Sequence, residues 1–123
     1  MNKLKKFVQD LENDEIDYFV ALALGRSPGK FGNGKCAIDG KAFSPSTDWE
    51  TGGPIIHSQE NLAFDKREPK NYNTSNKTIC RAWYTRNNGL GDYSDCLMYG
   101  STYLKAVMRT IICGKFGKEV ELP

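Results

Sequence analysis

The sequence predicts an α+β fold: a small single domain in which a short antiparallel sheet packs with N-terminal and C-terminal helices. Three observations predict it. Apolar residues recur at helical spacing near both ends of the chain, and residues 79–84 alternate faces as a strand does. The third is size, because 123 residues are enough for one core and too few for two.

Taken in order, Leu4, Phe7, Val8 and Leu11 follow the i, i+3, i+4, i+7 spacing of a helical face. Asn13 or Asp14 then caps a helix with Ile16, Phe19, Val20 and Ala23 on its apolar side. Gly25 suits its C′ position, and Pro28 prevents continuation. The spacing does not decide between one bent helix and two. Cys36–Phe43 reads as a short strand or as a hairpin around Asp39-Gly40, and SPSTDWETGGP (44–54) as a turn-rich loop. Ile55-Ile56 opens a β-like run that carries His57 as a half-exposed strand residue, and Leu62 and Phe64 mark a second short strand.

Residues 65–77 are polar and read as an exposed connection, and Asn88-Gly89 breaks the chain after the strand TICRAWYTR. In that strand Ile79, Arg81 and Trp83 share one face, with Cys80, Ala82 and Tyr84 on the other. Gly100-Ser101-Thr102 caps a last helix with a broad apolar face of Leu104, Val107, Met108, Ile111 and Ile112. Gly114 or Gly117 ends it, and Glu119–Leu122 closes the chain as a short edge strand.

Composition is that of a globular protein, 39% hydrophobic and 26% charged. Seventeen basic and fifteen acidic side chains leave a formal charge of +2, which gives no electrostatic basis for general nucleic-acid or membrane-surface binding. No apolar run approaches the roughly 20 residues of a membrane span. The opening MNKLKKFVQDLENDE is amphipathic and acidic without a leader's apolar core, so the expectation is a reducing compartment. Cys36, Cys80, Cys96 and Cys113 lie far apart, with no CxxC pair and one histidine in the chain, and read as reduced core residues. No metal and no cofactor is expected.

The stretch Gly29–Lys35 fits GxxxxGK, the phosphate-binding loop. Cys36 stands where a hydroxyl would hold magnesium, and Ala37-Ile38-Asp39-Gly40 cannot start the long helix that such a loop precedes. It reads as a glycine-rich surface loop whose lysines can still touch a phosphate. Asn73-Thr74-Ser75 and Asn76-Lys77-Thr78 match glycosylation sequons, which in a cytosolic chain signify only a polar loop. His57 has no nucleophile signature beside it, so no catalytic residue is assigned.

Two segments are candidate ligand sites. The first gathers Ser44, Ser46, Thr47, Asp48, Trp49, Gly52 and Gly53. Its hydroxyls and amides suit phosphate or ribose oxygens, and the indole suits a stacked base. The same residues also suit turn capping around a core tryptophan. The second is the start of the last helix, where Ser101 and Thr102 precede unpaired amides and Arg109 lies two turns on. Ordinary capping with a solvated arginine is its alternative.

The succession IDYFVALALG, FSPSTDWETGGPII, RAWYT and YGSTYLKAVMRTII, with a terminal EVELP, resembles the NinX-like family of tailed phages and prophages. SPSTDW followed by GGPII is the most specific part. Residues matching the family pattern are Ser44 to Trp49, Gly52 to Pro54, and then Gly100, Thr102, Leu104, Ala106, Met108 and Arg109. The resemblance implies a phage accessory protein in the cytoplasm of the infected bacterial host and carries over no catalytic residue.

Three functions are therefore expected in order. The first is a non-enzymatic homo-oligomer that sequesters a small phosphorylated ligand, such as a nucleotide immune messenger, to blunt host defence. The second is an inhibitor that binds a host defence protein directly, anchored by Trp49. The third is a small nucleotide hydrolase.

Overall fold

A computed structural model describes residues 4–29, 36–67, 79–85 and 96–122. The chain runs β1 (Lys5–Phe7), one turn of 3-10 helix (Val8–Asp10), α1 (Asn13–Ala23), β2 (Ala37–Ile38), β3 (Lys41–Ala42), α2 (Trp49–Ser58), β4 (Leu62–Arg67), β5 (Ile79–Tyr84), β6 (Met98–Gly100), α3 (Tyr103–Phe116) and β7 (Glu119–Glu121). Three helices and short antiparallel sheets make this an α+β domain. The central sheet has the order β4-β5-β6, and among the described residues two further strand pairs, β1-β7 and β2-β3, complete the β structure.

The long amphipathic helix α3 is the centre of the molecule. It packs against β4, β5 and β6 and against α1, and touches α2. Its face of Leu104, Ala106, Val107, Met108, Ile111 and Ile112 is buried among Ile16, Phe19 and Val20 of α1 and Cys80 and Ala82 of β5. Burying each large aliphatic side chain is worth about 1.5–3 kcal/mol, which is why these positions specify the fold. Thr110, the polar residue in this face, is fully buried, and its hydroxyl lies 2.9 Å from the Ala82 carbonyl and 3.0 Å from that of Cys96.

Sequence and structure agree over much of the chain. Helix α1 forms where expected and Gly25 follows its end at φ 78°, but its cap is Glu12, in a reciprocal capping box with Glu15, rather than Asn13 or Asp14. The hairpin turns at Asp39 (φ 53°) and Gly40 (φ 79°), both left-handed as a two-residue hairpin turn of this type requires. Leu62 and Phe64 lie in β4, which continues to Arg67. Ile79–Tyr84 form β5 with buried Cys80 and Ala82 on the helix side. Gly117, at φ 93°, ends α3, and Glu119–Glu121 pair as an edge strand.

Three expectations are corrected. Residues 4–11 are not a helix: Val8 and Leu11 are buried, but Leu4 and Phe7 face solvent, and Lys5–Phe7 pair with Glu119–Glu121 from the far end of the chain. That non-local pairing overrides the local period. The segment from Trp49 is not a loop, and Ile55-Ile56 do not begin a strand, because Trp49–Ser58 is helix α2 and includes Gly52, Gly53 and Pro54. His57 is thus an exposed residue of the last turn of that helix rather than of a strand. The cysteines at 36, 80, 96 and 113 are unbridged, as expected. Lys30–Lys35, both glycosylation sequons and Asn88-Gly89 lie outside the described residues, and so does most of the predicted 65–77 connection.

Candidate functional site

Helix α2 exists because its start is capped and its middle is anchored. The Asp48 carboxylate accepts the Glu50 amide at 3.1 Å and the Thr51 hydroxyl at 3.1 Å. Gly52 is buried, and a Cβ there would stand 2.6 Å from the Pro45 carbonyl oxygen and 2.7 Å from Leu104 Cδ2. The glycine lets α2 lie directly on α3, and this packing outweighs the poor helix propensity of Gly-Gly-Pro.

The turn before α2 is pinned from beneath. Ser46 is fully buried, its amide donating to Asp17 Oδ1 at 2.8 Å and its hydroxyl to the Asn13 carbonyl at 3.3 Å. Asp17 is itself buried, which pushes its carboxyl up to about 6; the Ser46 hydrogen bonds oppose that rise and Asp14 adds to it. The Ser44 carbonyl accepts the amides of Thr47 and Asp48, closing the turn.

Trp49, the first residue of α2, is therefore held rigidly at its backbone while its side chain is 55% exposed. It does not fill the core. It borders an open depression of about 250 Å³ lined also by Lys66, Cys80, Ser101, Thr102 and Tyr103. Thr102 caps α3, its hydroxyl accepting the Lys105 amide at 3.2 Å, and Lys105 Nζ lies 3.5 Å from Ser101 Oγ on the rim. Gly100 allows this approach, because a Cβ there would meet the Ala106 nitrogen at 2.7 Å. Lys66 comes from β4, where it shares the helix-side face with Leu62 and Phe64, and Phe64 packs edge-on against Tyr103 with ring centroids 5.2 Å apart. Burial raises the Cys80 thiol, and nearby Lys66 partly offsets that rise. Cys80 is thus a neutral floor, and among the described residues Lys66 is the cation lining the depression.

The structure thus joins two segments that are fifty residues apart in the chain, Trp49 from the first and Ser101 and Thr102 from the second. The other predicted site residues serve elsewhere. Ser46 and Gly52 are buried scaffold, Ser44 closes a turn and Asp48 caps α2. Thr47 is exposed and Gly53 half-buried, and neither lines the depression. Arg109 does not line the depression, and it is not a solvated arginine. Its guanidinium donates from Nη1 to the Tyr99 carbonyl at 2.7 Å and from Nη2 to the Leu11 carbonyl at 2.9 Å, and burial lowers its pKa.

Lys66, Cys80 and Tyr103 are the lining residues that sequence reasoning missed. The alternation of Leu62 and Phe64 carried the signal for Lys66, since the same period of two puts residue 66 on their face. Two other depressions of similar size lie elsewhere, one of about 270 Å³ beside Arg26 and Lys41 and one of about 290 Å³ beside Tyr84 and Gly114. Neither contains a predicted site residue. Among the described residues, no three of His, Cys, Asp and Glu gather as a metal-ligand set.

A family model described as Bacteriophage P22, NinX matches residues 7–115, nearly the whole chain. The chain belongs to the NinX family. The match spans every residue lining the Trp49 depression and stops before β7, so the terminal EVELP of this NinX-family chain falls outside it. No curated protein matches the chain. Among the described residues, no helix of the NinX-family protein is long and apolar enough to cross a membrane.

Proposed function

We propose that this phage protein binds and sequesters a small phosphorylated ligand, of the kind used as nucleotide messengers in bacterial defence, without transforming it. The single observation that carries the reading is the convergence of an exposed indole, a lysine, two hydroxyls and a capped helix start in one depression. Trp49 offers a face for a base, and Lys66 with Ser101 and the first turn of α3 offers charge and donors for a phosphate. A volume of about 250 Å³ is below the ~300–1,000 Å³ of pockets that enclose a whole small ligand. One chain therefore grips part of the ligand, and a second copy in a homo-oligomer covers the rest. Sequestration of a host messenger places the protein in the cytoplasm of the infected cell.

The test is to purify the protein from bacteria with an active nucleotide-signalling defence, denature it by heat and analyse the supernatant by mass spectrometry. The reading predicts an intact nucleotide, in proportion to protein. A supernatant without nucleotide, together with no binding across a messenger panel, would contradict it, and a cleaved product would favour hydrolysis.

The exposure of Trp49, with Phe64 also 40% exposed beside Tyr103, supports a second reading in which the same surface anchors a host protein. The two readings separate cleanly. A protein anchor depends on Trp49 and Phe64 but tolerates Lys66→Ala and Ser101→Ala, whereas phosphate binding does not.

A further inference from the structure

The two edges of the central sheet are treated differently. Along β6, Gln9 closes the edge: its side-chain amide donates to the Tyr99 carbonyl and its side-chain carbonyl accepts the Tyr99 amide, at 2.8 Å each, as a neighbouring strand would. Arg109 reaches the same Tyr99 carbonyl at 2.7 Å. Along β4, among the described residues, no strand or loop meets the backbone on the side away from β5. A strand edge left open in this way is a template for another strand.

The phase of the ladder shows which groups that edge presents. The Thr85 amide donates to the Asn61 carbonyl at 2.6 Å, and Leu62 stands opposite Tyr84. Bonded and non-bonded pairs alternate in an antiparallel ladder, so Leu62, Phe64 and Lys66 sit in non-bonded pairs and turn their N–H and C=O groups outward. Tyr99 gives the same phase independently. Its amide and carbonyl point away from β5, to Gln9, so its partner Arg81 turns its own toward Asp65 of β4. The side chains of the three outward-turned residues share the helix side of the sheet. There Lys66 lines the Trp49 depression, and Phe64, 40% exposed, packs on Tyr103.

We infer that a second copy of this chain pairs here, β4 antiparallel to β4 about a twofold axis at Phe64, so that two three-stranded sheets become one. The outward groups are self-complementary in this register. Phe64 stands opposite its own counterpart and Lys66 opposite Leu62 of the second copy, each pair exchanging two backbone hydrogen bonds. Asp65 falls opposite Ala63, so no like charges meet. Sliding the copies by two residues one way would set Asp65 against Asp65 in a close pair, about 4.5 Å between Cα atoms, which like charges disfavour. Sliding them the other way would lose one bonded pair. The use of this pairing rests on the sequestration reading above. It sets Leu62 and Phe64 of the second copy beside Lys66, on the face that carries both depressions, so each copy extends the apolar wall of the other's site.

Analytical ultracentrifugation of the full chain at micromolar concentrations tests this, and the inference predicts a dimer. Phe64→Pro removes the N–H that crosses the axis and none that binds β5. It should weaken dimerisation at least about tenfold while circular dichroism still reports the fold. Phe64→Cys gives a second readout that does not depend on the proline variant folding. Counterparts with Cα atoms about 5.5 Å apart suit a disulfide, so copper phenanthroline should link two copies through position 64, as peptide mapping would show. A wild-type monomer, bare or carrying a host protein, would overturn the inference, and so would a dimer that Phe64→Cys does not link. A linked dimer that releases no nucleotide on heating would leave the pairing standing and overturn sequestration instead.

Discussion

The Asp17 carboxylate accepts the backbone amide of Ser46 at 2.8 Å, tying the middle of α1 to the turn that launches α2. Both residues are buried, and Trp49 stands three positions beyond the bond. The contact therefore joins the hydrophobic interior to the presentation of the indole. A buried carboxylate with this duty makes the stability of the domain depend on pH.

Asp17 titrates at about 6 in the folded protein, above its ordinary 3.8, so folding disfavours its ionised form. Stability from this group is fully present below about pH 4 and declines as pH rises through 6. Asp17→Asn keeps an acceptor for the Ser46 amide and removes the charge. It should flatten the pH dependence between 4 and 6 and stabilise the domain at pH 7 by up to about 3 kcal/mol. Asp17→Ala strands the amide and should lie below Asn by about 1–3 kcal/mol at pH 7. Urea unfolding of the three proteins from pH 4 to 7 checks the order.

The two adjacent glycines of α2 should respond oppositely to the same substitution. A Cβ at Gly52 would stand 2.6 Å from a backbone carbonyl that cannot rotate away, whereas at Gly53 the nearest atom is Trp49 Cε3 at 3.9 Å. Gly52→Ala should destabilise by about 1–3 kcal/mol through overpacking. Gly53→Ala should be neutral or stabilise by up to about 1 kcal/mol, the ordinary helical gain. Thermal melts of both variants provide the comparison.

Arg109 should behave as a structural clamp. Gln9 already exchanges two hydrogen bonds with Tyr99, at 2.8 Å each, so the Arg109 contact with that carbonyl is shared, while its bond to Leu11 is an independent link. Arg109→Met keeps much of the aliphatic stem and removes the donors. A stability loss of about 2 kcal/mol or more is expected, with ligand affinity of the folded fraction unchanged. Denaturant unfolding beside calorimetric binding separates the two effects.

Local signals located α1, the 36–43 hairpin, β4, β5 and α3 because their periods, caps and turn residues agree with the fold they join. Phe7 and Trp49 mark where such reading fails. Phe7 belongs to a strand whose partner, Glu119, lies at the other end of the chain. Trp49 begins a helix whose Gly-Gly-Pro reads as a turn until Gly52 is seated against Pro45 and Leu104. Half of the candidate site was legible in the same way. The indole and the α3 cap were visible as chemistry, but their convergence on Lys66 depends on where β4 crosses α3, a tertiary fact with no local mark.

Native mass spectrometry of the protein purified from defence-active cells, beside Trp49→Ala and Lys66→Ala, tests the central claim most directly. The account predicts a wild-type oligomer carrying a few hundred daltons of nucleotide per site, with the adduct lost from both variants. A wild-type protein without an adduct, or an adduct that persists in either variant, would contradict it.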